Sequence, residues 1–195
     1  MQQKASILFI LFLAASLANC GGKNNKAARP DACSLISDVD IQAVQGEAVI
    51  EKTASENAGR GIVTSQCFYR LPTFSRSINL EVTRPNASSN SPLIEEFWVR
   101  RFGKHREATA EELETREEPH DKTDSAEREE EKEHARPTAV DGVGDEAFWT
   151  GSQINGSLYF RKNETIVRVS IGGPDDQSTK IDKAKSLAET ILKNL

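Results

Sequence analysis

The chain has 195 residues with 25 basic and 30 acidic side chains, a net charge of −5, and 37% hydrophobic residues. That is apolar material for one core of ordinary size and too little for two. The acidity is local: residues 104–136 hold 13 acidic and 7 basic side chains, so the rest is near neutral and lacks the clustered Lys and Arg that nucleic acid requires.

Lys4 precedes a nearly unbroken apolar run from Ile7 to Ala18, interrupted only by Ser16. Such a run has the length of a signal-peptide core and is short of the roughly 20 residues that span a bilayer. It leads into Leu17-Ala18-Asn19-Cys20, which resembles the signal and lipidation box of a bacterial lipoprotein. The resemblance implies a signal peptide over 1–19 and a Cys20 carrying diacylglycerol and palmitate, although Asn19 stands where a smaller residue is usual. The alternative is an ordinary secretory signal cut near Ala18, with Cys20 left as a thiol. Gly21, Gly22, Lys23, Asn24 and Asn25 then open a polar tether over 20–30. Gly21 is not the aspartate that resembles an inner-membrane retention signal, so in an envelope with two membranes the expected address is the outer one.

With Cys20 assigned to lipid, Cys33 and Cys67 remain as an even pair in a compartment that permits oxidation. A bridge would close a loop of about 33 residues; the other reading is two buried thiols. Ser37-Asp38-Val39-Asp40 reads as a capped helix start and Gly46 as its stop, with Ile41 and Val44 facing inward. Residues 61–71 alternate as a strand with Cys67, Tyr69 and Leu71 on one face. Residues 76–84 alternate more clearly, with Ile78, Leu80 and Val82 against Ser77, Asn79, Glu81 and Thr83. Ser91-Pro92 opens a helix carrying Leu93, Ile94, Phe97, Trp98 and Phe102.

Residues 104–136 contain almost nothing able to enter a core beyond Leu113 and a few alanines. This insert is expected to be solvated helix or disordered, supported by the i,i+4 pairs Glu112 with Arg116 and Asp124 with Arg128. After it, 145–150 reads as a strand and 157–161 with 165–171 as a hairpin around Lys162-Asn163-Glu164. Gly172-Gly173-Pro174 ends the sheet, and Asp175, Asp176 or Ser178 caps a last helix. Ile181, Ala184, Leu187, Ala188, Ile191 and Leu195 form its inner face, with Lys180, Lys183, Lys185 and Lys193 toward water. The fold class is therefore α+β: one domain over 31–103 and 137–195, with an antiparallel sheet of about six strands and helices packed on it.

Two blocks carry a wider resemblance. Cys33-Ser34-Leu35-Ile36-Ser37, followed by Asp40-Ile41 and Gly46, and Val143-Gly144-Asp145-Glu146-Ala147-Phe148-Trp149 ahead of an apolar hairpin and terminal helix, resemble the two halves of small uncharacterised bacterial envelope lipoproteins, including mycobacterial ones. The resemblance implies a Cys33–Cys67 bridge and a domain similar to the photosystem-accessory (PsbP-like) sandwich. It implies no reaction, and the insert departs from its pattern.

No nucleophile elbow, phosphate-binding glycine loop or paired-histidine metal motif is present. His105, His120 and His134 all fall in the insert, and neither cofactor, metal nor catalysis is expected. Asp145 and Glu146 point to opposite faces of a strand and cannot jointly flank a substrate. The side chains best able to build a groove are Phe97, Trp98, Phe148 and Trp149, with Phe148 or Trp149 beneath the 93–102 helix. The expected function is a lipid-anchored, non-catalytic binding or assembly protein of the cell envelope, held at the membrane by its N-terminal lipid and meeting another envelope protein. The alternative is a carrier or sensor of a small apolar ligand.

Overall fold

A computed structural model describes residues 30–86, 92–111, 137–152 and 154–195, with the backbone alone over 104–111. The expected signal peptide, Cys20 and nearly all of the tether lie outside the described residues, as does the insert from 112 onward. No helix of the described residues is long and apolar enough to cross a membrane.

The fold is α+β: among the described residues, seven antiparallel strands form one sheet, with three α-helices. In chain order these are α1 (Asp38–Gln45), β1 (Glu51–Gly59), β2 (Ile62–Arg70), β3 (Ile78–Pro85), α2 (Pro92–Glu111), β4 (Thr138–Ala139), β5 (Glu146–Gly151), β6 (Asn155–Lys162), β7 (Thr165–Gly172) and α3 (Gln177–Asn194). The spatial order β1-β2-β3-β7-β6-β5-β4 joins two meanders along one seam, where β3 meets β7 from Ile78↔Ile171 to Thr83↔Ile166.

Local chemistry accounts for the ends of these elements. The Ser37 side chain accepts from the Asp40 N–H while the Asp40 carboxylate accepts from the Ser37 N–H, a closed capping box, and the Ser37 hydroxyl and N–H donating to that carboxylate hold the Asp40 carboxyl below its ordinary range. Gly46 ends α1 with φ +78°, a conformation that favours glycine. Asp176 caps α3 by accepting from the Thr179 N–H.

Alternation then sorts side chains to two faces. On the first lie Cys67, Tyr69, Ile78, Leu80, Val82, Trp149, Leu158, Phe160, Val167 and Val169, covered by α1, α3 and the 3-10 turn Ala32–Ser34. The Cys33–Cys67 disulfide is formed and ties that turn to β2. Beside it the Ala32 N–H donates to Ser65 Oγ at 3.0 Å and the Tyr69 hydroxyl to Ile36 O at 3.3 Å. Burial and the carboxylates of Asp38 and Asp31 push the Tyr69 phenol up. The second face carries the smaller cluster beneath α2.

The expected antiparallel sheet of about six strands is present, with seven strands among the described residues, the two-residue β4 lying at one edge. β1 runs over residues that show no apolar alternation. α2 continues to Glu111, so the first eight residues of the expected insert, 104–111, are helical, one of the two states expected there. Lys180 does not face water: it is fully buried, and its ammonium lies 3.3 Å from Ile154 O. The first turn of α3 sits under the loop before β6, and the long lysine stem fills the space there. Lys183 is half-buried against Asp175 at 2.7 Å, and Leu195 at the chain end is partly exposed.

Candidate functional site

The second face of the sheet divides into a covered and an open half, and the strand register says why. Residues in phase across β2, β3, β7, β6 and β5 form three rows. One is Thr64, Thr83, Ile166, Arg161, Glu146; the next Gln66, Glu81, Arg168, Tyr159, Phe148; the third Phe68, Asn79, Ser170, Ser157, Thr150. Apolar members concentrate at Ile166, Tyr159 and Phe148, and there α2 lands with Ile94, Trp98 and Phe102.

This aromatic cluster is closed. Phe102 stacks on Phe148 with centroids 4.8 Å apart and planes 9° from parallel, lies 4.6 Å from Trp98, and meets the Tyr159 ring edge-on at 5.4 Å. A polar rim fixes the helix over it. Trp98 Nε1 donates to Glu146 Oε2 at 2.6 Å, Arg101 donates to the Tyr159 hydroxyl at 2.8 Å, and Arg161 pairs with Glu95 of α2. The Arg101 guanidinium also lies 4.5 Å from the Tyr159 ring centroid, a cation–π contact.

Of the four residues expected to shape a groove, Trp98 and Phe148 meet here and are buried. Trp149 turns to the opposite face and packs in the large core, as alternation on a strand requires. Its ring lies over Gly156, where a Cβ would come within 1.8 Å of Cζ2. Phe97 is on the outer side of α2, 37% exposed, outside both clusters. Tyr159, unnoticed in the sequence, belongs to the cluster; its place between the inward Leu158 and Phe160 was the available signal.

The open half is polar and already organised. Gln66 donates to Glu81 at 2.9 Å, Arg168 lies 3.6 Å from Glu81 and donates through Nε to Ser170 Oγ at 2.9 Å, and Ser170 meets Ser157 at 2.9 Å. These contacts hold side chains of four strands in a fixed array. Beside them Phe68, Phe74, Asn79, Thr150, Ser157 and Ser170 line a shallow cleft of about 460 Å³. Phe74 is 72% exposed and overhangs it from the turn before β3, its ring 6.1 Å from that of Phe68. Exposed aromatic surface beside fixed hydroxyl and amide groups is the chemistry of a binding surface: apolar contact for affinity, polar groups for orientation.

A larger depression of about 950 Å³ lies at one end of the sheet, lined by Glu47, Thr73, Arg76, Asp175, Asp176 and Ile154 among others. Its charged groups are engaged by the fold. Arg76 holds Gln45 O and Glu47, Thr73 N–H donates to Glu47, Lys183 holds Asp175, and Asp176 caps α3. The Glu47 and Asp176 carboxyls are held low by those backbone donors. It is a seam of structural contacts, and the cleft on the sheet is the better site.

β5 begins at Glu146 and not at Asp145, which lies in the bend before it, and the two carboxylates are held apart. Lys162 and the Asn163 N–H hold Asp145, lowering its carboxyl, while Glu146 serves Trp98 on the other face. Of the histidines, His105 is described in its backbone only, and His120 and His134 lie outside the described residues. Among the described residues no group of three or more His, Cys, Asp or Glu is placed to hold a metal ion.

The architecture defines an α+β protein with one antiparallel sheet between unequal helical layers. In comparisons with known proteins, no family model and no curated sequence matches the chain.

Proposed function

We propose that this protein is a lipid-anchored, non-catalytic binding or assembly protein of the bacterial cell envelope that meets its partner with the open half of its sheet. The observation that carries the reading is the contrast on that face, with a sealed aromatic cluster under α2 beside an uncovered array around Phe68, Phe74, Asn79, Ser157 and Ser170. The lipid box at Cys20 supplies the membrane attachment, and a formed disulfide suits an oxidising compartment. The carrier reading has less support: Trp98, Phe102, Phe148 and Tyr159 occupy one another's contact surfaces, and an apolar guest would have to displace α2.

Expression in a bacterium with a labelled palmitate analogue, combined with a photo-crosslinking residue at Asn79 or Phe74, tests both parts. The wild type should be labelled and Cys20→Ser should not. The crosslinker should yield discrete adducts from Asn79 and Phe74, and none from Glu189 on the exposed side of α3. Label retained by Cys20→Ser refutes the anchor; equal adducts from all three positions refute the surface.

A further inference from the structure

One edge of the sheet is short, the two-residue β4, and the other is long. β1 spans nine residues, Glu51–Gly59, paired without interruption to β2, and every one of them is exposed. Sheet edges are normally blunted by proline, a bulge, brevity, a covering element or charged side chains, of which β1 carries Glu51, Lys52 and Glu56. Within Glu51–Gly59 the register with β2 is continuous and there is no proline; the turn Ala32–Ser34 and Asp38 of α1 touch β1, and the ladder is offset at its start, where the Ile50 N–H donates to Arg70 O at 2.9 Å. Nor does the sequence Glu-Lys-Thr-Ala-Ser-Glu-Asn-Ala-Gly have an apolar face to bury, so the ladder with β2 is what chiefly holds it as a strand.

The turn fixes which backbone groups are unpaired. Arg60 and Gly61, at φ +49° and +82°, make the two-residue connection between Gly59 and Ile62. Such a turn closes on a hydrogen-bonded pair, and hydrogen-bonded and non-bonded pairs alternate along an antiparallel ladder. The N–H and C=O groups of 51, 53, 55, 57 and 59 therefore point to β2, and those of Lys52, Ala54, Glu56 and Ala58 point outward.

The outward residues are complementary to themselves. Placing a second β1 antiparallel, with a two-fold axis at Ala54, sets Lys52 opposite Glu56 and Glu56 opposite Lys52. It also sets Thr53 opposite Ser55. Every outward-pointing residue of one strand then meets an outward-pointing residue of the other, as a hydrogen-bonded ladder demands. Moving the axis one residue, to Ser55, keeps the ladder but sets Lys52 opposite Ala58 and Glu56 opposite Ala54, losing both charge matches. Edge charges usually deter a like edge; here opposite signs four residues apart select one antiparallel register. Lys52 is shared with Asp38 of α1 at 2.9 Å, whereas Glu56 has no ion-pair partner among the described residues.

We infer that β1 is a self-recognition edge, through which two copies of this chain join β1 to β1 about an axis at Ala54 into one continuous sheet. The interface is separate from the open cleft and does not depend on what that cleft binds.

The test uses the full chain with a photo-crosslinking residue in place of Ala54, because a cysteine there would lie opposite Cys67 and exchange with the Cys33–Cys67 bridge. On irradiation this variant should give a covalent dimer, while the same residue in place of Ser178, exposed on α3, should not. Adding Glu56→Lys should lower trapping roughly tenfold, because two attractive cross-strand pairs become repulsive, and adding Lys52→Glu as well should restore it. Ala54→Pro, which removes only an outward N–H, should abolish the dimer seen by sedimentation of the parent chain while the thermal melt persists. Trapping no greater at Ala54 than at Ser178, or trapping indifferent to Glu56→Lys, overturns the inference.

Discussion

Removing the Cys33–Cys67 bridge should cost this domain a large part of its stability, through the unfolded chain more than through the folded one. The cysteines are 34 positions apart, and chain entropy for a loop of that size gives about 4 kcal/mol at room temperature. For a folded body of about 130 residues that is a fall in melting temperature of roughly 10–15 °C. Cys67 is fully buried, so Cys33→Ala/Cys67→Ala removes sulfur volume as well as the link. Reduced wild type keeps the sulfurs and isolates the link. Calorimetry of the oxidised wild type, the reduced wild type and the double variant separates the two effects: reduced protein should carry most of the drop, with the variant a few degrees lower. A reduced wild type melting within about 3 °C of the oxidised protein would refute the loop-closure reasoning.

Phe102→Ala opens a hole among Trp98, Phe148 and Tyr159 and should cost about 3–5 kcal/mol in denaturant melts; Trp98→Phe, which loses the donor to Glu146, should cost about 1.5–3 kcal/mol. Gly156→Ala drives a methyl group into the Trp149 ring and should destabilise by about 1–3 kcal/mol with a change in tryptophan fluorescence. Asp145, held below its ordinary value of 3.8 by Lys162 and the Asn163 N–H, contributes stability that is present above that value and lost as pH falls through the lowered one. Asp145→Asn should therefore flatten the acid limb of the stability profile below about pH 4, read by chemical melts across pH. Replacing residues 112–136, whose apolar content is Leu113 and two alanines, with a short Gly/Ser linker should move the thermal midpoint by only a few degrees; loss of the cooperative melt would show that the segment packs on the body.

Legibility in the sequence followed how locally each feature is determined. α1 was visible because Ser37, Asp40 and Gly46 complete their own cap and stop; β3 and β7 because Ile78, Leu80 and Val82 and then Val167, Val169 and Ile171 alternate. β1 was invisible because nothing in Glu51–Gly59 favours a strand apart from the ladder offered by β2. Lys180 misled because helical phase puts it near the α3 boundary, and only the loop at Ile154 decides that it is buried. The cleft was hidden for a related reason. Asn79, Ser157 and Ser170 alternate as solvent-facing residues should, and which half of that face α2 would cover depends on register between strands far apart in the chain. Of the aromatic quartet, the opposite facing of Phe148 and Trp149 was readable, while Phe97 turning outward and Tyr159 joining the cluster were settled by packing.

The single β3–β7 seam bears on how this molecule reaches its native state. Each meander is built of neighbours in sequence and can form early from short-range contacts, whereas the seam pairs Thr83 with Ile166 across more than 80 intervening residues. Closing that span is the entropically costly step, and it grows only with the logarithm of length, about 0.6 kcal/mol for each doubling. A long charged stretch can therefore sit between the meanders with little kinetic penalty. A substitution at Leu80 or Val169, on the seam itself, should slow refolding more than one of equal cost at the outer strands.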